Sequence, residues 1–249
     1  MDNGQEVQLA EALESDAEAA VTTAEWFSQA ARELQEANGL HETMEQILEL
    51  ATKLVDADLA LLIGIPRTGA LPELLAATNY ADGQDVVALQ RAAGAAPAWQ
   101  AILDRASVQV DDLATDDRWT EFAPVLLPAL GFRSIVAFCL LIGDQPLAAL
   151  GIYARQPRAF SADQISLATA FAEHAAIAFD HAAQTEQVSD LEIALEHSRD
   201  IGAAVGILME RLGLTQHEAF AHLRKVSQDH NHKLYDLARQ LTTTGNLRF

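Results

Sequence analysis

The apolar positions along the chain change rhythm twice, and each change predicts a change of structure. Leu9, Leu13, Val21 and Trp26 recur along an acidic stretch, and Phe27, Ala30 and Leu34 extend the same face toward Asn38-Gly39. Residues 1–39 therefore read as an acidic N-terminal helix ended by a turn dipeptide. From Leu40 to about Val55, the three-and-four spacing of Ile47, Leu48, Ala51 and Leu54 predicts a second helix. Then the period shortens. "DLALLIGI", "LLAATN", "SVQVDDL", "FRSIVAFCLLIG" and "PLAALGIYARQ" are short β-compatible runs bounded by Gly, Pro or Asp, with helical pieces near "GQDVVALQRAA", "PAWQAILDR" and "RWTEFAPVLLPAL". The polar "GDQP" between two apolar runs reads as a hairpin turn, hence antiparallel pairing. This mixture indicates an α+β class, an antiparallel sheet with helices packed on it.

After "QPRAF" the helical period returns. Ser161, with Gln164 three residues on, forms a capping box, and the absence of proline from Ile165 to about Leu212 predicts one long helix. Val188, Leu191 and Leu195 fall at a/d spacing, preceded at the same rhythm by Ile177, His181 and Gln184. This short, partly polar seam suits a dimer contact, so helices spanning 161–212 are expected to pair two copies. Gly213 stops the helix, and Thr215 with Glu218 caps the next, whose buried face is expected to carry Phe220, Leu223 and Val226. "SQDHN" reads as a polar turn before a third helix burying Leu234, Leu237, Ala238 and Leu241. Three short helices barely make a core, and dimerisation would supply what is missing.

Charge divides the chain in the same place. The net charge is −20, yet residues 199–249 hold seven of the 16 Lys and Arg against five of the 36 carboxylates, about +2 against −22 for the rest. Such asymmetry points to different partners for the two parts. The acidic excess of the first 198 residues would also repel nucleic acid and confine any such contact to the tail, though solubility alone accounts for the excess equally well.

Other chemistry is sparse. The single cysteine, Cys139 in "IVAFCLLIG", excludes an internal disulfide and a multi-cysteine zinc site, and reads as a small buried hydrophobe. His230 and His232 lie in a turn without supporting ligands, and Asp111, Asp112, Asp116 and Asp117 read as caps and turns, so no metal or cofactor is expected. His197 on a helix invites a phosphoacceptor reading, but no ATP-binding loop follows it. No P-loop, nucleophile elbow or paired catalytic carboxylates appear, and an enzyme is not expected. No apolar run reaches the roughly 18 to 20 residues of a membrane span, and the start is acidic rather than signal-like, which places the expected location in the cytoplasm.

One long pattern carries a resemblance. "IGAAVGILMERLGLTQHEAFAHLRKVSQDHNHKLYDLARQL" resembles the ANTAR domain, the RNA-binding module of bacterial antiterminators, through Ala204, Gly206, Leu208 and Met209, then Gly213 to Arg224, then Ser227 to Ala238. Val205 and His232 stand where these modules commonly carry Lys and Arg. The stretch from "VDDLATDD" to "AEHAAIAF", within residues 40–182, is similar to the GAF domains that precede ANTAR in actinobacterial regulators. The resemblance implies a GAF (PAS-like) sensor over 40–182, then a helical linker and three-helix ANTAR domain over 183–249. It also implies a dimer that binds paired leader-RNA hairpins and prevents a terminator from forming, under control of a small-molecule or protein signal at the GAF domain.

Under that resemblance the tail supplies suitable groups for reading unpaired bases and phosphates. Arg224, Lys225 and Lys233 are cations around a turn, Ser227, Gln228 and Asn231 offer donors and acceptors, and the small Ala204 and Gly206 admit close approach. The plainer alternative makes Arg224 and Lys225 a solvated helix end favouring its dipole and Asn231 a cap. Tyr235 either stacks a base or packs. Phe122, Phe132, Phe138 and Tyr153 either line a GAF pocket or fill the core. Two other readings of the whole are a DNA-binding regulator using the tail as a helix-turn-helix, and a protein-interaction module that has lost RNA binding.

Overall fold

The computed structural model describes residues 21–65 and 72–246. It divides into two units, residues 1–183 and 184–249. Leu9 and Leu13 of the expected first helix lie outside the described residues.

The first unit begins with a helix through residues 21–36 (α1), followed by α2 (Gly39–Val55), β1 (Leu59–Gly64) and β2 (Glu73–Ala77). Next come α3 (Tyr80–Ala93), α4 (Pro97–Asp104), β3 (Val108–Val110), a single 3-10 turn at Asp117–Trp119, and α5 (Ala123–Leu130). β4 (Ser134–Ile142), β5 (Gln145–Ala154) and the first part of α6 (Ala162–Leu212) complete it. The five strands form one antiparallel sheet in the order β2-β1-β5-β4-β3.

Strand alternation sorts the sheet's side chains into two cores. Ala60 and Leu62 of β1, Val136, Phe138 and Leu140 of β4, and Leu150 and Ile152 of β5 face one side, under α1, α2 and α6. Leu59, Leu61 and Ile63, then Ile135 and Ala137, then Ala149 and Tyr153 face the other side, under α3, α4 and α5. Because both faces are covered, every residue of the inner strand β1 is buried, which explains why "LALLIG" is a continuous apolar run rather than an alternating one. Gly151 is required by close packing, since a Cβ there would lie 2.9 Å from the Tyr153 ring and 3.3 Å from Leu61. α1 closes the first core through Ala30 and Leu34, while Trp26 meets Phe171 of α6 edge-on at 5.6 Å. Val21, expected on that apolar face, is instead exposed.

The β4–β5 hairpin is tighter than "GDQP" suggests. Only Gly143 and Asp144 form the turn, with Ile142 paired to Gln145 and Gly143 at φ 58, the positive angle that a two-residue hairpin demands at its first central residue. Pro146 sits in β5 opposite a register shift at Leu140/Leu141, where its missing N–H interrupts no regular ladder.

Two of the four aspartates of "VDDLATDD", Asp112 and Asp116, organise backbone. Asp112 accepts from the Ala114 N–H at 3.1 Å, and Asp116 caps the 3-10 turn through the Arg118 N–H at 3.0 Å. Arg133 bonds both oxygens of Asp112 and holds that carboxyl below its ordinary pKa, helped by the Ala114 N–H. Arg118 does the same to Asp116.

The second unit takes the rest of α6 with α7 (Gln216–Asp229) and α8 (Leu234–Thr244). At 51 residues, α6 is continuous. The expected Ser161 box is present, with the Gln164 N–H donating to Ser161 Oγ at 3.2 Å and the Ser161 N–H donating to Gln164 Oε1 at 2.9 Å. Gly213 ends α6 at φ 64. Thr215 and Glu218 make the second box, the Thr215 N–H reaching Glu218 Oε2 at 2.9 Å, and these bonds lower the Glu218 pKa. Ala204, Val205 and Leu208 of α6 pack on Ala219, Leu223, Leu237, Ala238 and Leu241, a small core of its own.

Candidate functional site

The sequence nominated two places, and the structure treats them differently. Phe122, Phe132 and Tyr153 are fully buried in the core under α3 to α5, whereas Phe138, an even-numbered neighbour on β4, faces the opposite core. The four therefore cannot line one pocket, because strand alternation separates Phe138 from the rest. Phe132 and Tyr153 pack ring against ring at 5.6 Å. Burial pushes the Tyr153 phenol pKa up, and its hydroxyl lies 3.4 Å from Gln90 Nε2. Gln90 is itself buried, and its Oε1 has no hydrogen-bond partner among the described residues. This polar pair lies inside a mostly apolar layer, and nothing in the sequence pattern distinguishes Gln90 from the surface glutamines.

In the tail, α7 sets the geometry. Its buried stripe is Ala219 and Leu223, with Val226 partly buried. Phe220, expected in that stripe, is 40% exposed. At about 100° per residue, Ala219 rather than Phe220 stands four before Leu223. Phe220, Arg224 and Gln228 form one ridge that turns from beside the stripe at Phe220 to nearly opposite the core at Gln228, with Ser227 next to Phe220, while His222, Asp229, Glu218 and Lys225 lie on the other side.

Ser227 and Gln228, expected in a turn, belong to the last turn of α7, which runs on to Asp229. The turn proper is shorter, and Ser227 ties it down by donating its hydroxyl to the His232 carbonyl at 2.6 Å. Asn231 takes the left-handed conformation at φ 52, which asparagine tolerates better than most residues. Both residues thus shape the loop that delivers Lys233, the N-cap of α8. Ala204 is fully buried, so it packs the three-helix core and is not available to a ligand. Gly206 is exposed, and a Cβ added there would meet nothing within 4 Å.

The cations divide into two groups. Arg211 bonds the Gly245 carbonyl and Arg239 bonds Tyr235 Oη at 2.9 Å, so both serve the fold. Arg199, Arg224, Lys225 and Lys233 are exposed, and among the described residues no hydrogen bond or ion pair engages their side chains; the last three gather around the turn between α7 and α8. Tyr235 is not an open platform either, because His197 of α6 covers its ring at a centroid distance of 3.7 Å.

Residues 37–180 match the GAF domain family and residues 189–241 match the ANTAR domain. No curated protein matches the chain in sequence. Among solved structures it resembles the GAF domain of a phosphoenolpyruvate-protein phosphotransferase from Coxiella burnetii, at 13% identity and TM-score 0.55 over 68% of this chain and 98% of that one. The corresponding domain from Acinetobacter follows at 12%, 0.52, 66% and 95%. Free methionine-R-sulfoxide reductase from Neisseria meningitidis, solved with its substrate, is similar at 10% identity and TM-score 0.52 over 67% and 93%. At such identities the likeness is one of fold. GAF and ANTAR are regulatory domains, sensory and RNA-binding respectively, and no helix among the described residues is long and apolar enough to cross a membrane. The chain belongs to the GAF domain family and, with an ANTAR domain after the GAF domain, has the architecture of a GAF-ANTAR antitermination regulator.

Proposed function

We propose that the protein acts as a dimer whose two tails grip hairpins in a leader RNA, stabilising an antiterminator fold under control of a signal at the GAF domain. The observation that carries this reading is the set of three exposed, unengaged cations around one short turn, Arg224, Lys225 and Lys233. Phosphates neutralised by such groups release counterions, and unpaired loop bases are read by amides such as Gln228 nearby. Differential affinity for one RNA fold over another is all that the switch requires thermodynamically.

The dimer is supported by α6. Val188, Leu191 and Leu195 keep a/d spacing and are 56%, 56% and 58% exposed in the single chain, so that apolar seam is open for a second copy. Ile177, in the same rhythm, is exposed as well. The cytoplasm, where leader transcripts are made, is the compartment this function needs.

The test is binding of the purified protein to tandem hairpins from its own operon leader, in parallel with duplex DNA and as a function of salt. Preferential hairpin binding by a dimer supports the reading. Preference for duplex DNA would turn the tail into a helix-turn-helix, and monomeric protein without hairpin binding at low salt would end the proposal.

A further inference from the structure

Phe220 is a large aromatic ring that lies outside the buried stripe of α7. It is 40% exposed at the start of α7, displaced from the buried stripe by Ala219, and one helical turn before the unengaged Arg224. Gln228 follows one further turn along the same ridge, and the Ser227–His232 bond fastens the loop bearing Lys233 at its end. No carboxylate of α7 lies on that ridge, since Glu218 and Asp229 both fall on the far side of the stripe. The other described aromatic side chain of the tail, Tyr235, has one ring face covered by His197 and its hydroxyl held by Arg239.

We infer that Phe220 is a base-stacking residue of the RNA site: an unpaired loop base lies on its exposed ring while Arg224, one turn on, holds the adjoining phosphate. This rests on the RNA-binding reading above and specifies its chemistry. Stacking on an aromatic ring is tolerant of base identity, whereas Gln228 supplies donor and acceptor for an edge. The ridge thus divides into a stacking end, a phosphate contact and an edge-reading end over two helical turns. Lys225, roughly 100° away from Arg224, contributes to the field but not to this ridge.

The test uses the full chain and hairpins of fixed stem and randomised loop selected on the unaltered protein. Phe220→Leu keeps the apolar volume and removes the ring face, and Phe220→Tyr restores the ring. Phe220→Leu is expected to weaken hairpin binding by about five- to a hundredfold, as loss of one stacked base does, with the salt slope unchanged. Phe220→Tyr is expected to bind within about twofold of the unaltered protein. Abasic substitution at one loop position should cost as much as Phe220→Leu and, combined with it, cost no more. Equal binding by Phe220→Leu, or losses that add at every loop position, would overturn the stacking role while leaving the RNA reading intact. Unaltered protein that binds no selected hairpin would overturn both. Loss of dimerisation in Phe220→Leu with unchanged hairpin binding would make the ring a protein contact and also overturn the proposal.

Discussion

The sensor and the tail differ in which cations they pair. Within the first unit, Lys53 pairs with Glu49, Arg118 with Asp116, Arg133 with Asp112 and Arg155 with Asp58, and among the described residues every Lys or Arg ion pair lies there. In the tail, Arg211 and Arg239 bond neutral oxygens, Arg199 on α6 is exposed, and Arg224, Lys225 and Lys233 are left open to solvent around one turn. Net charge therefore misdescribes the molecule. Four cations of the first unit are held in ion pairs, while the near-neutral tail gathers three open ones around a single turn. What matters for an RNA partner is the number of cations free to meet phosphate, not the sum over the chain.

The largest expected effect separates the two units by stability. Leu223 is fully buried in a core of only a few side chains, and Leu223→Ala should cost about 2–5 kcal/mol. In so small a core, that loss approaches the whole margin of folding. Calorimetry should then show the tail's transition lost or strongly lowered and the sensor's retained. A single transition shifted as a whole would instead mean that the two units fold as one.

A smaller effect concerns pH. The Arg133 guanidinium bonded to Asp112 holds that carboxyl below its ordinary value, as Arg118 does for Asp116. Because the folded-state value is the lower one, the stabilisation is complete above the ordinary carboxylate pKa of about 4 and is lost as pH falls through the folded value. Stability measured by denaturant at a series of acid pH values should drop with decreasing pH, and Asp112→Asn should flatten part of that drop. Hairpin binding at neutral pH should be the same for Asp112→Asn as for the unaltered protein.

The smallest effect sharpens the role of Gly206. Its added Cβ meets open space, so Gly206→Ala should fold and raise the melting temperature slightly, in line with about 0.5–1 kcal/mol for glycine in a helix interior. A simultaneous fall in hairpin affinity would place RNA against this turn of α6. Unchanged affinity would remove Gly206 from the surface.

What could be read in the sequence was what short-range chemistry decides. Both capping boxes, Ser161 with Gln164 and Thr215 with Glu218, formed as their spacing requires, because each is a bond between residues three apart. The long α6 and the helical stop at Gly213 followed for the same reason. Strand existence was legible, but the order β2-β1-β5-β4-β3 was not, since it depends on pairings between residues as distant as Leu59 and Tyr153. Parity along β4 already separates Phe138 from Ile135 and Ala137, and so from the core that holds Phe132 and Tyr153. In the tail, Phe220 looked like core because a large ring outweighs an alanine in any hydrophobic pattern. The geometry reverses that ranking, burying Ala219 where helices approach closely and leaving the ring outside. Ala204 shows the same bias in reverse, a small residue read as an opening that turns out to be a packing position.

The central claim is that the three unengaged cations around the α7–α8 turn carry RNA binding while the paired cations of the sensor do not. The direct measurement is hairpin affinity against salt for the unaltered protein, for Arg224→Ala/Lys225→Ala/Lys233→Ala combined, and for Arg155→Ala in the sensor. The account predicts that the triple variant loses most of its affinity and that its salt slope falls by about 2, at about 0.7 per neutralised phosphate of a single strand, while Arg155→Ala leaves both unchanged. A triple variant that keeps the affinity and slope of the unaltered protein would contradict it.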